Sequence, residues 1–246
     1  MTQAICIVPV SPLRDASNHR SEMVSQLLFG EAVSIIGEDR EWLKVSCVHD
    51  RYEGWTLKSH VKQTGLDNNA KRIIASGWDN VIEFDGTVMH VPMGALLEHV
   101  ISIADVKYAS ADVVSVNPIN AKALIERANM FLNTPYLWGG RSVYGVDCSG
   151  FCQVLFRFFG YELPRDAYQQ AATGEVVGFL QEARAGDLAF FDNDEGRIIH
   201  VGILIDESSI IHASGKVRID RIDTAGIVNS DTGLRTHRLR VIKRYF

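Results

Sequence analysis

One cysteine lies at the junction between a glycine-rich loop and an apolar segment with helical spacing. Cys148 directly follows that loop, and the apolar stripe after it consists of Phe151, Val154, Leu155 and Phe158. A thiol in the first turn of a helix faces the positive end of the helix dipole and unpaired backbone N–H groups. Both favour the thiolate, which is the nucleophilic form of cysteine. The sequence therefore predicts that Cys148 is a nucleophile.

Two histidines in successive strand-like segments are candidates for the base that such a nucleophile needs. His200 lies in an apolar run at 197–205, and His212 lies in the next run, at 210–213. The turn between the runs predicts a hairpin, and a register that pairs Gly202 with His212 would bring both imidazoles to one face of the sheet. His200 would then be the general base and His212 the group that orients it.

The same residues allow other interpretations. Cys148 could be a small buried hydrophobic residue, although Asp147 before it is a poor core residue. Cys148, His200 and His212 could also ligate zinc, with Asp147 as a fourth ligand, but the close Cys/His pairs typical of zinc sites are missing. We interpret Cys152, four residues further on, as a core residue rather than as half of a metal or redox pair.

The composition is ordinary for a globular protein: of 246 residues, 46% are hydrophobic and 22% are charged. No apolar run approaches the ~18 residues of a transmembrane helix, and the start of the chain lacks the features of a signal peptide. The net charge of −5 argues against a nucleic-acid or anionic-membrane partner. Four cysteines without disulfide spacing indicate a reducing compartment. We therefore expect a monomeric cytoplasmic protein without a metal or other cofactor.

Strand-like and helix-like segments divide the chain into regions. Short β-rich runs up to residue 66 predict a small β-barrel, and similar runs at 67–116, with a tight turn at Asp85-Gly86, predict a second one. Asn117-Pro118 predicts the start of a helix, with Asn117 as its cap. After about residue 186 the spacing of apolar residues changes to that of strands. Together with the preceding helices, this indicates an α+β domain with a mostly antiparallel sheet. The predicted strands are 187–191, 198–205, 210–213 and 239–245.

Several short motifs in the second half resemble, in order, those of the NlpC-type cysteine peptidases, papain-like bacterial enzymes that cut cell-wall peptides. They are Pro135-Tyr136-x-Trp138-Gly139-Gly140, Asp147-Cys148-Ser149-Gly150-Phe151, Leu163-Pro164-Arg165, Gly186-Asp187-Leu188, His200-Val201-Gly202-Ile203 and His212-Ala213. The front half resembles paired bacterial SH3-like modules through Leu28-Phe29-Gly30-Glu31, Trp42-Leu43-Lys44-Val45 and Gly54-Trp55. The resemblance implies SH3-like β-barrels at 1–66 and 67–116 and a papain-like catalytic domain at 117–246.

The resemblance also implies roles for individual residues around the nucleophile. Cys148 would be the nucleophile, His200 the base and His212 the third member of the catalytic set. Tyr136 would lie beside the oxyanion, where developing negative charge needs preorganised donors. Trp138 would contact the substrate, or it would pack under its own loop.

A further implication of the resemblance is a substrate with a free amine. Asp147 and Ser149 would face that amine, since an ammonium group needs a carboxylate partner, although Asp147 could also be a helix N-cap. In family members with SH3-like modules, a module closes one end of the groove. Glu22 and Tyr52 are our candidates for this wall, and the alternative is that they are ordinary surface residues of a barrel loop.

The function implied by the resemblance is that of a γ-D-glutamyl-L-diamino-acid endopeptidase. The enzyme would hydrolyse the bond between γ-D-Glu and the diamino acid in murein tripeptides or tetrapeptides with a free N-terminal L-Ala, which fits the recycling of cell-wall peptides. The alternatives are an exported D,L-endopeptidase that remodels intact peptidoglycan, a non-catalytic wall-binding protein, and an acyl transferase that uses the same nucleophile. A binding protein has no need of a reactive Cys148, so thiol reactivity separates it from the enzymes.

Overall fold

The computed structural model describes residues 2–65, 71–101, 104, 106–110, 112–116 and 118–246. The chain divides into two compact units. The front unit comprises Met1–Asn117 together with Trp138–Tyr144, and the rear unit comprises Pro118–Leu137 and Gly145–Phe246. A short segment from the second half of the chain therefore folds with the first half. None of the helices in the described residues is long and apolar enough to cross a membrane.

The front unit begins with a seven-stranded antiparallel sheet in the order β3-β2-β6-β5-β4-β1-β7. Its strands are β1 (Thr2–Cys6), β2 (Val10–Arg14), β3 (Met23–Leu28), β4 (Ala32–Asp39), β5 (Trp42–Cys47), β6 (Glu53–Leu57) and β7 (Val61–Gln63), and a 3-10 turn at Lys58–His60 precedes β7. Buried and partly exposed residues alternate along β2, as expected for a strand with one face on a core. That core contains Ala4, Cys6, Leu13, Leu27, Val33, Leu43, Val45, Cys47 and Val61. The β-rich first module predicted from the sequence is confirmed.

The remainder of the front unit forms two smaller sheets. Its elements are β8 (Ile73–Ala75), β9 (Asp79–Phe84), β10 (Thr87–Pro92), α1 (Glu98–Ile101), β11 (Val106–Ser110) and β12 (Val113–Ser115). The first sheet has the order β10-β9-β11, the second pairs β12 with β8, and the predicted turn at Asp85-Gly86 joins β9 to β10. Apolar residues of β8, β9 and β10 share one core cluster with Ile5 and Phe29 of the first module. A second closed barrel at 67–116 is therefore not confirmed among the described residues and stays a prediction.

A buried arginine holds the segment Trp138–Tyr144 in the front unit. Arg141 begins β13 (Arg141–Ser142) and forms a bidentate ion pair with Glu31, with Nη1 to Oε2 at 2.8 Å and Nη2 to Oε1 at 2.9 Å. The Arg141 backbone N–H donates to the side-chain oxygen of Gln26 at 2.8 Å, and Nη1 donates to the Gln26 carbonyl at 2.7 Å. The side chains of Arg141 and Glu31 are 1% and 0% exposed. A buried pair of this kind depends on both partners, because either charge alone would be uncompensated.

The rear unit contains three helices: α2 (Ala121–Asn129), α3 (Cys148–Arg157) and α4 (Ala167–Ala171). The start of α2 differs from the predicted one, because the side chain of Asn120 caps it by accepting from the backbone N–H groups of Lys122 and Ala123. Asn117, the predicted cap, lies outside the described residues. Every residue of α3 is buried. The reactive end of this helix is thus rigidly embedded, as a nucleophile's support should be.

An antiparallel sheet in the order β15-β21-β16-β17-β18-β19-β20 forms the rest of the rear unit. Its strands are β15 (Glu175–Val177), β16 (Leu188–Asp192), β17 (Ile198–Leu204), β18 (Ser209–Ser214), β19 (Lys216–Asp223), β20 (Gly226–Val228) and β21 (Arg235–Arg244), and the short strand β14 (Gly145–Val146) and a 3-10 turn at Leu180–Glu182 lie outside it. Because β20 pairs with β21 as well as β19, six strands close into a ring. The predicted α+β class with an antiparallel sheet is confirmed, and β15, β19 and β20 are strands that we did not predict.

We expect that Glu31→Ala will destabilise the front unit by about 3–5 kcal/mol, because it removes the carboxylate that is bonded to both Nη atoms of the buried Arg141 guanidinium. Urea unfolding of the whole chain, followed by tryptophan fluorescence, measures this as a lower midpoint for the affected transition. The matched control is Glu53→Ala, which removes the exposed ion pair with Lys44 and should cost less than ~1 kcal/mol. Equal midpoints for the two variants would contradict the importance of the buried pair.

Candidate active site

Cys148 is the first residue of α3, as the sequence predicts, and it is nearly buried. The Asp147 side chain caps the helix by accepting from the backbone N–H of Gly150 at 2.7 Å. The Cys148 thiol also has hydrogen bonds with the backbone of Val201 and of Ser149, and both lower its pKa. The bond to Val201 places the sulfur next to β17, because Val201 is the residue that follows His200 in that strand.

The helix start does not make Cys148 a thiolate in the free protein, which corrects the expectation from the sequence. Burial, followed by the neighbouring Asp147 carboxylate, raises the pKa of the Cys148 thiol to about 12. Loss of hydration penalises the charged form more than the two backbone hydrogen bonds and the Arg165 guanidinium favour it. The thiol is therefore protonated at neutral pH, and the nucleophile has to be generated by transfer of its proton.

The two predicted histidines lie on the same face of the sheet and form a hydrogen bond with each other. The predicted register between β17 and β18 is confirmed, since Gly202 pairs with His212. His200 Nε2 lies 2.8 Å from His212 Nδ1, and both side chains are buried. The missing side chain of Gly202 makes this approach possible, because a Cβ there would lie 2.8 Å from the His212 Cβ.

Asp220 on β19 continues this hydrogen-bond chain, and sequence reasoning did not find it. Its Oδ2 lies 3.1 Å from His212 Nε2, and Arg218 and the backbone N–H of Ser230 also bond to its carboxylate. These partners hold the pKa of Asp220 well below its usual value despite burial of the carboxyl group. Asp220 is therefore an ionised acceptor at neutral pH.

The charge of Asp220 determines which nitrogen of each imidazole carries a proton. A carboxylate only accepts, so His212 Nε2 must donate to it, and in the neutral ring His212 Nδ1 is then an acceptor. His200 Nε2 must donate to that acceptor, which leaves the lone pair on His200 Nδ1. Burial, His212 and His237 together hold the pKa of His200 well below its ordinary value, so this ring is neutral. The series of hydrogen bonds thus leaves His200 Nδ1 unprotonated, which is the form that a general base requires.

The predicted amine-binding residues Asp147 and Ser149 are buried and bonded to Arg165. Arg165 Nη2 donates to Asp147 Oδ2 at 2.5 Å, and Nη1 donates to Asp147 Oδ1 at 3.1 Å and to the Ser149 hydroxyl at 2.9 Å. Asp147 is therefore a helix cap whose charge is compensated within the protein. The motif containing Arg165 was recognised in the sequence, but its pairing with Asp147 was not predicted.

Tyr136 and His200 line one cleft of the rear unit, together with Ile199, Ala213, Ser214, Gly215 and His237. Burial and the neighbouring Cys148 and Asp147 raise the pKa of the Tyr136 phenol. Its hydroxyl is accordingly neutral and able to donate a hydrogen bond, as an oxyanion partner must.

The remaining predicted residues, Trp138, Glu22 and Tyr52, lie in the front unit. The indole Nε1–H of Trp138 donates to Glu22 Oε1 at 2.6 Å, and 61% of the Trp138 surface is exposed. Tyr52 packs against the core of the first module and is half-buried. Trp138 is thus exposed rather than packed under its loop, and Glu22 is an exposed residue whose side chain accepts from Trp138.

The geometry does not favour zinc as an alternative at Cys148. His200 and His212 use facing nitrogens for their mutual hydrogen bond, and the Asp147 carboxylate is paired with Arg165. Elsewhere in the described residues, one group of three side chains could share an ion: Cys47, His49 and Asp50. The Arg141 guanidinium lies 3.3 Å from His49 Nε2, and a permanent cation at that position disfavours a metal ion.

Comparison with known proteins agrees with this architecture. The model of the NlpC/P60 family matches residues 133–236, and that of the bacterial dipeptidyl-peptidase Sh3 domain matches residues 13–61. The γ-D-glutamyl-L-lysine dipeptidyl-peptidase of Bacillus subtilis (strain 168) is 32% identical over 213 residues, which cover 77% of this chain and 71% of the relative. The crystal structure of an NlpC/P60 family protein from Bacillus cereus ATCC 10987 aligns with a TM-score of 0.81 at 18% identity, covering 99% of each chain, and shows the same fold.

The fold and these relatives define a cysteine peptidase with a papain-like catalytic domain and an SH3-like domain in front of it. The chain belongs to the NlpC/P60 family.

Because Cys148 is protonated in the free protein, we expect its alkylation by iodoacetamide to accelerate about tenfold per pH unit between about pH 7 and pH 9. Mass spectrometry of the Cys148 peptide measures the rate, and the Cys148→Ala variant gives the background from Cys6, Cys47 and Cys152. A rate that is already constant across this range would show a preformed thiolate and contradict the assignment.

Proposed function

We propose that this enzyme hydrolyses the bond between γ-D-Glu and the diamino acid in murein peptides that carry a free N-terminal L-Ala, as a step in the recycling of cell-wall peptides. The observation that carries the proposal is the hydrogen-bonded series from Asp220 through His212 to His200, which lies in the same strand as Val201, the backbone partner of the Cys148 thiol. The name of the Bacillus subtilis relative, a γ-D-glutamyl-L-lysine dipeptidyl-peptidase, supports the choice of bond and of L-lysine as one accepted diamino acid.

The first half of the proposed reaction forms a thioester. His200 Nδ1 takes the proton from the Cys148 thiol as the sulfur attacks the γ-carbonyl carbon of the D-glutamyl residue. The negative charge that develops on the carbonyl oxygen is stabilised by the Tyr136 hydroxyl and the Cys148 backbone N–H, which we propose as the oxyanion donors. His200 then gives its proton to the departing amine of the diamino acid, and the C–N bond breaks.

The second half returns the enzyme to its starting state. Water attacks the thioester carbon while His200 Nδ1 accepts one of its protons, and a second tetrahedral intermediate collapses with release of Cys148 as the thiol. The products are L-Ala-γ-D-Glu and the diamino acid or the peptide that it begins. In both halves His200 becomes positively charged for a time, and the line of hydrogen bonds to the Asp220 carboxylate stabilises that charge.

The other predicted site residues would recognise the free amine of L-Ala. An ammonium group loses hydration when it binds, so it needs a carboxylate partner. The negative charge of Asp147 is already compensated by Arg165, whereas Glu22 is exposed and accepts from the neutral indole of Trp138. We therefore propose Glu22 as the main counter-charge, with Trp138, Tyr52, Asp147 and Ser149 as further substrate-binding residues.

We expect L-Ala-γ-D-Glu-L-Lys to be cleaved between its second and third residues and the N-acetylated peptide to be cleaved at least about a hundredfold more slowly, because acetylation removes the charge that the carboxylate recognises. Mass spectrometry of the products measures both rates. The meso-diaminopimelate peptides and intact murein are assayed in parallel, and they report the diamino acid preference and the competing wall-remodelling function.

Variants of the two cysteines of α3 provide the controls for this assay. Cys148→Ala should abolish cleavage, whereas Cys152→Ala, which removes a buried sulfur from the same helix, should cleave in proportion to the amount of folded protein. Equal cleavage of free and acetylated peptides, or faster cleavage of intact murein, would replace recycling with remodelling of the wall. Cleavage by Cys148→Ala would overturn the nucleophile assignment itself.

A further inference from the structure

A third imidazole, that of His237 on β21, contacts the rings of His200 and His212 and has no part in the reaction described above. Its ring is stacked on that of His200, with the centroids 4.2 Å apart and an interplanar angle of 26°. By contrast, the His200 and His212 rings meet edge to face, at 5.1 Å and 81°. His237 also lines the cleft that contains Tyr136 and His200.

An irregularity of the sheet brings His237 to this position. Up to Phe190, which pairs with Val241, the strands β16 and β21 keep a constant register, but Phe191 pairs with Leu239, so that Arg240 is an extra residue in β21. Residues paired across strands share a face, and Phe191 also pairs with His200 on β17. The bulge therefore brings Leu239, and with it His237 two residues away, to the face that carries His200. Without the extra residue His237 would lie on the opposite face.

His200 needs a constraint that its hydrogen bond does not supply. The single bond from Nε2 to His212 fixes one ring atom, but it leaves the imidazole able to rock about that point and to displace Nδ1. A ring stacked on its face opposes this motion, and Phe191, whose centroid lies 5.7 Å from that of His200, limits it from another direction. A displacement of a catalytic group by only about 1 Å can lower a rate by about a hundredfold.

We propose that His237 is a positioning residue for His200, and that its stacked ring holds the imidazole in the orientation needed to take the Cys148 proton. The inference rests on the proposed role of His200 as the general base.

The groups around His237 keep it uncharged, as this role requires. They are His200 on β17, His212 on β18 and Asp220 on β19, with the hydroxyl of Thr236 2.9 Å from its Nδ1. Burial, followed by His212, lowers the pKa of His237 to about 4, although the Asp220 carboxylate acts in the opposite direction. Above about pH 5 the ring is therefore neutral and does not repel the imidazolium that forms on His200.

The test compares three substitutions at one position. His237→Phe keeps an aromatic face and removes the nitrogens, His237→Leu keeps comparable volume without an aromatic face, and His237→Ala removes the ring. We expect Phe to retain most of kcat, and Leu and Ala to lose about tenfold in kcat with KM changed less than about twofold. His90→Ala, which removes an exposed histidine of the front unit, is the control and should behave as the wild type.

The outcomes separate this inference from the proposed function. If Phe, Leu and Ala lose the same activity, the nitrogens of His237 act directly, and if all three are fully active, His237 has no role; either result overturns the inference. A higher KM with unchanged kcat would also overturn it, because His237 would then bind substrate. Thermal melting of each variant identifies loss of folding. If His237→Ala does not fold, the comparison of the Phe and Leu variants alone tests the inference. If the wild type fails to cleave the peptide, the proposed function itself has failed.

Discussion

The hydrogen bond between His200 Nε2 and His212 Nδ1 joins two rings that can each donate or accept, and only a third group can give that bond a direction. Asp220 is that group, because its ionised carboxylate accepts from His212 and thereby assigns the proton positions in both rings. The closed ring of strands holds β17, β18 and β19 side by side, and Gly202 lets the two histidines approach. The order of these strands in the sheet therefore leads to the unprotonated nitrogen of His200 that the reaction needs.

Charge in this site is created during the reaction rather than stored beforehand. Burial favours the neutral forms of both Cys148 and His200, raising the pKa of the thiol and lowering that of the imidazole. Transfer of one proton produces a thiolate and an imidazolium together, and each charge then stabilises the other in a medium of low polarity. The helix dipole and the chain to Asp220 contribute most at that moment, since they act on charges that are absent in the resting enzyme.

Much of this site could be predicted from the sequence, because Cys148, His200 and His212 lie in segments with the regular side-chain spacing of a helix or a strand. Helical spacing after Cys148 identified the helix, and the alternation of side chains along strands fixed the register that unites His200 and His212. Asp220 was missed because it lies in β19, a strand with many charged residues that lacks the apolar alternation of a half-buried strand. His237 could not be predicted, since its face depends on a bulge at Arg240 that no local pattern announces.

The division of the chain was also only partly predictable. The first β-rich module and the α+β class follow from composition and period, but the inclusion of Trp138–Tyr144 in the front unit depends on the buried pair of Arg141 and Glu31. Those residues are far apart in sequence, and an arginine in a glycine-rich loop looks like an ordinary solvated charge. Long-range pairing of this kind becomes visible only in three dimensions.

The central claim, that Asp220 fixes the proton positions of both histidines, is tested most directly by the tautomers themselves. Long-range ¹H–¹⁵N correlation spectra of the resting enzyme at about pH 7, assigned with single histidine variants, report which ring nitrogen carries the proton. The account predicts that the proton of His200 is on Nε2 and that Nε2 of His212 is protonated as well. A proton on Nδ1 of His200, or rapid averaging between its two tautomers, would contradict it.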